Sequence, residues 1–139
     1  MNKNKQGFTL IELLVVVAII GLLSTLSIVA LNNARARARD ARRVADIKQI
    51  QTALELYYND NSSYPTGSSL GSSIVSSTTP PVIYMAQVPT APLPADCSAD
   101  NTYTYNGSAS TYTLTYCVGS ATGGISGGVK HTATPAGIQ

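Results

Sequence analysis

Few side chains in this chain have the type and spacing to do chemistry. Glu12 is a lone carboxylate at the head of an apolar run, with no further charge until Arg35. Charge in hydrocarbon is costly, so such a residue marks function: it must be paired or neutralised. Cys97 and Cys117 lie far beyond that run, and two thiols make a single disulfide in an oxidising compartment the economical reading. Asp96, Asp100 and Asn101 are oxygen donors close together. Calcium usually takes six to eight oxygens, so these three suggest a turn more readily than a cage. His131 has no serine or carboxylate motif near it in sequence and reads as an exposed structural residue. No phosphate-binding loop, zinc spacing or nucleophile elbow is present, so the expectation is no enzyme, no cofactor and no metal.

The element that positions Glu12 is legible from length and composition. Phe8 to Leu31 is rich in Leu, Ile, Val and Ala. As a helix it extends for about 36 Å, enough to cross a hydrocarbon core of about 30 Å. It is longer than the ~7–15 apolar residues of a secretory signal, and no small-residue cleavage site follows it. Gly21, Ser24, Thr25 and Ser27 allow close approach of a second helix.

Helical periodicity continues past Leu31. Alanines at 34, 36, 38, 41, 45 and 53 favour helix. Val44, Ile47, Ile50 or Gln51, Leu54 and Tyr57-Tyr58 form one apolar stripe, and Asp40, Arg43 and Asp46 are assigned to other faces. Five arginines between Arg35 and Arg43 read as a solvated helix face beside the membrane, with nucleic acid, anionic lipid or subunit pairing as alternatives. By charge counting they would hold this flank in the cytoplasm. The helix should end near Asn59-Asp60-Asn61.

Beyond it, Thr66 to Pro81 reads as a surface loop and Val82 to Met85 as a short strand. Alternation of Tyr or Leu with Thr in 102–106 and 111–116, about a Gly-containing loop, predicts a hairpin. Tyr103, Tyr105, Tyr112, Leu114 and Tyr116 would face the helix stripe. Val129 to Thr134 would add a third strand before a frayed end. A Cys97–Cys117 bridge would then close a loop over the hairpin's outer face. The fold class is α+β: a long N-terminal helix on a small antiparallel β head. Its divisions are a leader at 1–7, a membrane and filament-core helix at 8–31, an amphipathic continuation at 32–60 and a head at 61–139.

Lys3, Lys5, Gly7, Phe8, Thr9 and Glu12 ahead of a membrane-length run resemble the class III signal of type IV pilins and pseudopilins, and Tyr64-Pro65 after the helix is also common among them. The resemblance implies cleavage between Gly7 and Phe8 by a prepilin peptidase, N-methylation of Phe8, and a role for Glu12 in filament assembly. Since a carboxylate in hydrocarbon needs a partner, the Phe8 amine that cleavage would create is the expected one. Val29 stands where many members carry a proline, so proline-linked melting of the helix is not carried over. Loss of the leader takes Lys3 and Lys5 from a chain of net charge +2, leaving a neutral subunit and no electrostatic case for direct nucleic-acid binding.

The function so implied is a structural subunit of a type IV pilus-like surface filament, a helical homo-oligomer built by inner-membrane machinery with an assembly ATPase. Before assembly the chain would be single-pass in the cytoplasmic membrane with its head outside; afterwards it would be in an extracellular filament. The alternative is a pseudopilin of a type II secretion or DNA-uptake machine. A third reading is a membrane-anchored extracytoplasmic binding domain.

Overall fold

The computed structural model describes residues 7–94, 97 and 102–138. The leader lysines and the Asp96, Asp100 and Asn101 cluster lie outside the described residues. The first element is a single helix, α1, Leu10–Asn61. Its sequence contains no proline and only one glycine, Gly21. The chain divides into two compact units, Met1–Arg35 and Ala36–Gln139, and α1 contributes to both.

In the first unit every large apolar side chain from Phe8 to Leu31 is exposed, and the membrane-length window is 0% buried. Its hydroxyls are already satisfied inside the helix. Ser24 donates to the Ile20 carbonyl at 2.7 Å, Thr25 to Leu22 at 2.8 Å and Ser27 to Leu23 at 2.8 Å. Such back-bonding lets small polar residues sit in an apolar stretch without an unmet donor.

In the second unit α1 lies against antiparallel strands: β1 Ile74–Val75, β2 Ile83–Met85, β3 Thr104–Gly107, β4 Tyr112–Val118, β5 Val129–Thr134 and β6 Gly137–Ile138. Strands β1 and β2 pair alone, and the main sheet runs β3-β4-β5-β6. The expected hairpin is β3-β4, in the register Tyr105 with Leu114 and Gly107 with Tyr112. Ile47, Ile50, Ala53 and Leu54 share one core with Tyr64, Ile74, Tyr105, Tyr112, Leu114, Tyr116, Val118 and Ala133. Val44, Tyr57 and Tyr103 pack at its margin. The apolar stripe and the tyrosine face therefore meet.

The helix stops at Ser62, which adopts φ 52°. Its amide bonds the Tyr58 carbonyl at 2.7 Å, and the Asn61 amide side chain bonds that of Tyr57 at 2.9 Å. These two donors use carbonyls that the end of a helix otherwise leaves open. Tyr64-Pro65 then turns the chain onto the sheet. Tyr64 packs between the rings of Tyr58 and Tyr112, and Pro65 accepts a 2.6 Å bond from the Tyr105 hydroxyl. Gly107 is required there, because a Cβ would collide with that hydroxyl and carbonyl.

Several expectations change. The stretch read as loop contains β1, a two-residue strand whose short span carries no periodicity. Gly137 and Ile138 are not frayed, because they form β6, which returns on β5 with Ala133 opposite Ile138. His131 is buried, not exposed: its Nε2–H donates to the Ser126 carbonyl at 2.7 Å and its ring lies 5.7 Å from that of Tyr116.

Candidate functional site

Two polar constructions stand out, one in each unit. The first caps α1. Glu12 Oε2 accepts both the Thr9 amide and the Thr9 hydroxyl at 2.8 Å, and Thr9 Oγ1 accepts the Glu12 amide at 3.3 Å. This is a reciprocal capping box, with Thr9 as N-cap and Glu12 three residues on. The spacing Thr-x-x-Glu carries that signal in the sequence, and Thr9's part in holding Glu12 was not drawn from it. Among the described residues no donor reaches Glu12 Oε1, so one carboxylate oxygen remains open. Gly7 and Phe8 precede the helix; both are exposed, and nothing lies within 4 Å of where a Cβ would stand on Gly7.

The second construction corrects the assignment of Asp40, Arg43 and Asp46 to outward faces. All three are buried. Residues 40, 43, 47, 50 and 54 share the three-to-four spacing of the stripe, so the polar pair continues its line toward the N-terminus. Arg43 Nη1 donates to Asp40 Oδ1 at 2.8 Å. Its Nη2 donates to the carbonyls of Pro92 and Pro94 at 2.8 and 3.1 Å. Asp40 in turn accepts the amides of Gly119 at 2.9 Å and Ser120 at 2.7 Å.

These contacts grip the chain on both sides of a covalent link. The structure joins Cys97 to Cys117, with Cα atoms 6.2 Å apart. Arg43 holds the segment just before Cys97, and Asp40 holds the segment just after Cys117. Closing a loop of this size is worth roughly 3 kcal/mol in the chain-entropy model. Asp46 accepts the Tyr103 hydroxyl at 2.9 Å. Burial, and then that bond to a carboxylate, push the Tyr103 hydroxyl above its usual range. The clamp orders a head; it offers no substrate an open, reactive group. Among the described residues no cluster of three or more His, Cys, Asp or Glu side chains could hold a metal.

The residues singled out from sequence thus fall into two sets: Gly7, Phe8 and Glu12 at the start of α1, and Cys97 with Cys117 in the head. Comparisons with known proteins cover both. Residues 2–28 match the family profile described as prokaryotic N-terminal methylation motif. Residues 29–133 match that of type II secretion system (T2SS), protein G. Among curated relatives, the type II secretion system core protein G of Dickeya chrysanthemi is 38% identical over 82 residues, 58% of this chain and 54% of that protein. Its namesake in Escherichia coli strain K12 is 38% identical over 80 residues, 57% and 55% of the two chains. That of Aeromonas hydrophila is 40% identical over 67 residues, 48% and 47%. The matched stretch spans about half the length of these relatives. No solved structure matches. The protein G match favours the pseudopilin reading over that of a surface pilus. With three quarters of its length under one profile and a methylation motif ahead of it, this chain belongs to the type II secretion system protein G family.

Proposed function

We propose that this chain is a structural pseudopilin that polymerises through α1 as part of a type II secretion-type machine. The observation that carries this is the uncovered apolar surface of the first unit. Between Phe8 and Leu31 every large apolar side chain is exposed, on all sides of the stretch. In water such a surface is untenable, since burying each large apolar side chain contributes about 1.5–3 kcal/mol. Lipid covers it while the subunit waits in the membrane, and copies of the same helix cover it in the polymer. The protein G profile over the remaining chain supports a secretion polymer rather than a surface pilus.

Gly7 and Phe8, exposed and outside the helix, suit cleavage by a prepilin peptidase, which would free the Phe8 amine for methylation. Glu12 is the assembly residue in this reading. Thr9 occupies Oε2, so the open Oε1 is left for a cation, and the Phe8 amine of a neighbouring copy supplies one at the same membrane depth. Pairing there removes a charge from hydrocarbon and fixes one copy against the next. A membrane ATPase would drive the polymer, and the subunit itself would catalyse nothing.

Intact mass of the assembled subunit together with Glu12→Leu tests the reading. Mature chains should begin at Phe8, and Glu12→Leu should leave insertion and cleavage intact while abolishing polymer. Polymer that retains Met1–Gly7, or normal polymer from Glu12→Leu as the sole copy in the cell, would overturn it.

A further inference from the structure

The main sheet has an edge, along β3, that its own chain covers only in part. At the end of β3 the Gly107 amide donates to the Gly67 carbonyl at 2.8 Å, and the Gly67 amide donates to that of Gly107 at 3.0 Å. These bonds point away from β4, whereas the Ser108 amide points toward it and donates to the Thr111 carbonyl at 2.8 Å. Backbone direction alternates along an antiparallel ladder. Asn106 and Thr104 therefore turn toward β4, while Tyr105, like Gly107, turns its N–H and C=O outward. Register from the Gly67–Gly107 bridge sets Ser69 opposite Tyr105. The ladder stops short of it: among the described residues, neither backbone group of Tyr105 has a partner. Tyr105 is 4% exposed, and backbone groups so enclosed are nearly always bonded.

Between the two backbones lies a hollow of about 210 Å³, lined by Ile50, Leu70 and Leu114 as well as by Tyr105. Past Val88 and Tyr103 it continues into a second hollow of about 570 Å³ that reaches Pro89 and Leu93. Every described side chain that lines either one is uncharged.

We propose that this slot takes an extended, uncharged segment of another protein, which adds to β3 as a strand through the Tyr105 N–H and C=O. A donor and an acceptor on one residue are what a neighbouring strand uses, and the side chains of an added strand supply its specificity. Those on one face would enter the apolar lining, and those on the other would lie beside exposed Thr104. The segment is therefore apolar at alternate positions. A charged side chain in the slot would lose its water to a wall that offers no counter-charge. A folded second copy does not fit, because residues 68–71 wall the slot opposite β3 and an edge strand brings its own neighbour with it. The inference uses the second unit alone and stands apart from the polymer reading.

The test is a titration of the full chain in detergent with four capped heptapeptides. They carry valine, isoleucine, leucine or phenylalanine at alternate positions, threonine between, and lysine at each end. At least one should bind at millimolar concentration or below and slow exchange of the Tyr105 amide about tenfold or more, read by hydrogen exchange resolved to single amides. Methylating alternate backbone amides along one edge of that peptide should weaken it about tenfold or more, because the Tyr105 carbonyl is left without a donor. Ser68→Trp, on the exposed wall of the slot, should block it while the head disulfide still forms. No binding by any of the four, undiminished binding by forms methylated along either edge, or undiminished binding to Ser68→Trp overturns the proposal. Where that variant loses its disulfide, the methylated peptides decide. A Tyr105 amide already protected without peptide also overturns it. At every protein concentration this would mark the chain's own backbone in the slot, and at high concentration alone a second copy.

Discussion

Arg43 and Asp40 form a 2.8 Å ion pair with side chains 2% and 0% exposed, and each reaches a different strand of the chain closed by Cys97–Cys117. A pair so deeply buried is weak evidence of net stabilisation, because both charges lose their hydration. Its value is positional: two carbonyls and two amides complete the coordination that water would have given. One arginine and one aspartate thereby dock two loops on the helix.

Breaking that pair from one side should be severe. Asp40→Ala leaves a buried guanidinium without its counter-ion and two loop amides without their acceptor. A loss of about 3–5 kcal/mol is expected. Denaturant melts of the full chain in detergent will read it. Arg43→Met with Asp40→Leu should cost less than either single change.

Loss of the disulfide should loosen the same region from the other side. Denatured, unreduced wild-type chain should take up no thiol label. Cys117→Ser should lower stability by roughly 3 kcal/mol and speed proteolysis near residues 92–94 and 119–120. Two labels per wild-type chain would contradict the bridge.

Thr9→Val separates capping from assembly. It removes the hydroxyl that both donates to Glu12 and accepts its amide. The cap should weaken by about 0.5–2 kcal/mol, seen as faster hydrogen exchange in the first turn of α1. Polymer should still form, since Glu12 keeps its charge. Abolished polymer would place the assembly role on the Thr9–Glu12 unit.

Alkali should unfold the head through its tyrosines. Burial pushes the Tyr105 hydroxyl up to about 12, and burial followed by Glu55 raises that of Tyr64. Because the folded state holds both protons more tightly, their contribution is full below a pH of about 10, the ordinary tyrosine value. It declines as pH rises toward 12 and beyond. Tyrosinate absorbance should therefore rise together with loss of the folded signal. Tyr105→Phe should shift that transition to higher pH, at the cost of the bond to Pro65.

What the sequence determined by itself was whatever repeats or has length. The apolar run from Phe8 to Leu31 fixes a membrane-length helix, and the Ile47–Ile50–Leu54 spacing fixes its buried face. Alternating tyrosines fix the β3-β4 hairpin and the side on which it packs. Glu12, with Gly7 and Phe8 ahead of it, is marked as a candidate by sequence alone, because an ionisable residue beside an apolar run has few structural uses. Tertiary structure decided what has no period. Strands β1 and β6, of two residues each, exist only because neighbouring chain supplies hydrogen-bond partners. His131 is buried because the turn at Ser126 brings a carbonyl to its ring. Asp40 and Arg43 looked outward because their charge favours water. They are inside because the disulfide brings two carbonyls and two amides to them, and those partners come from positions about 50 and 80 residues away.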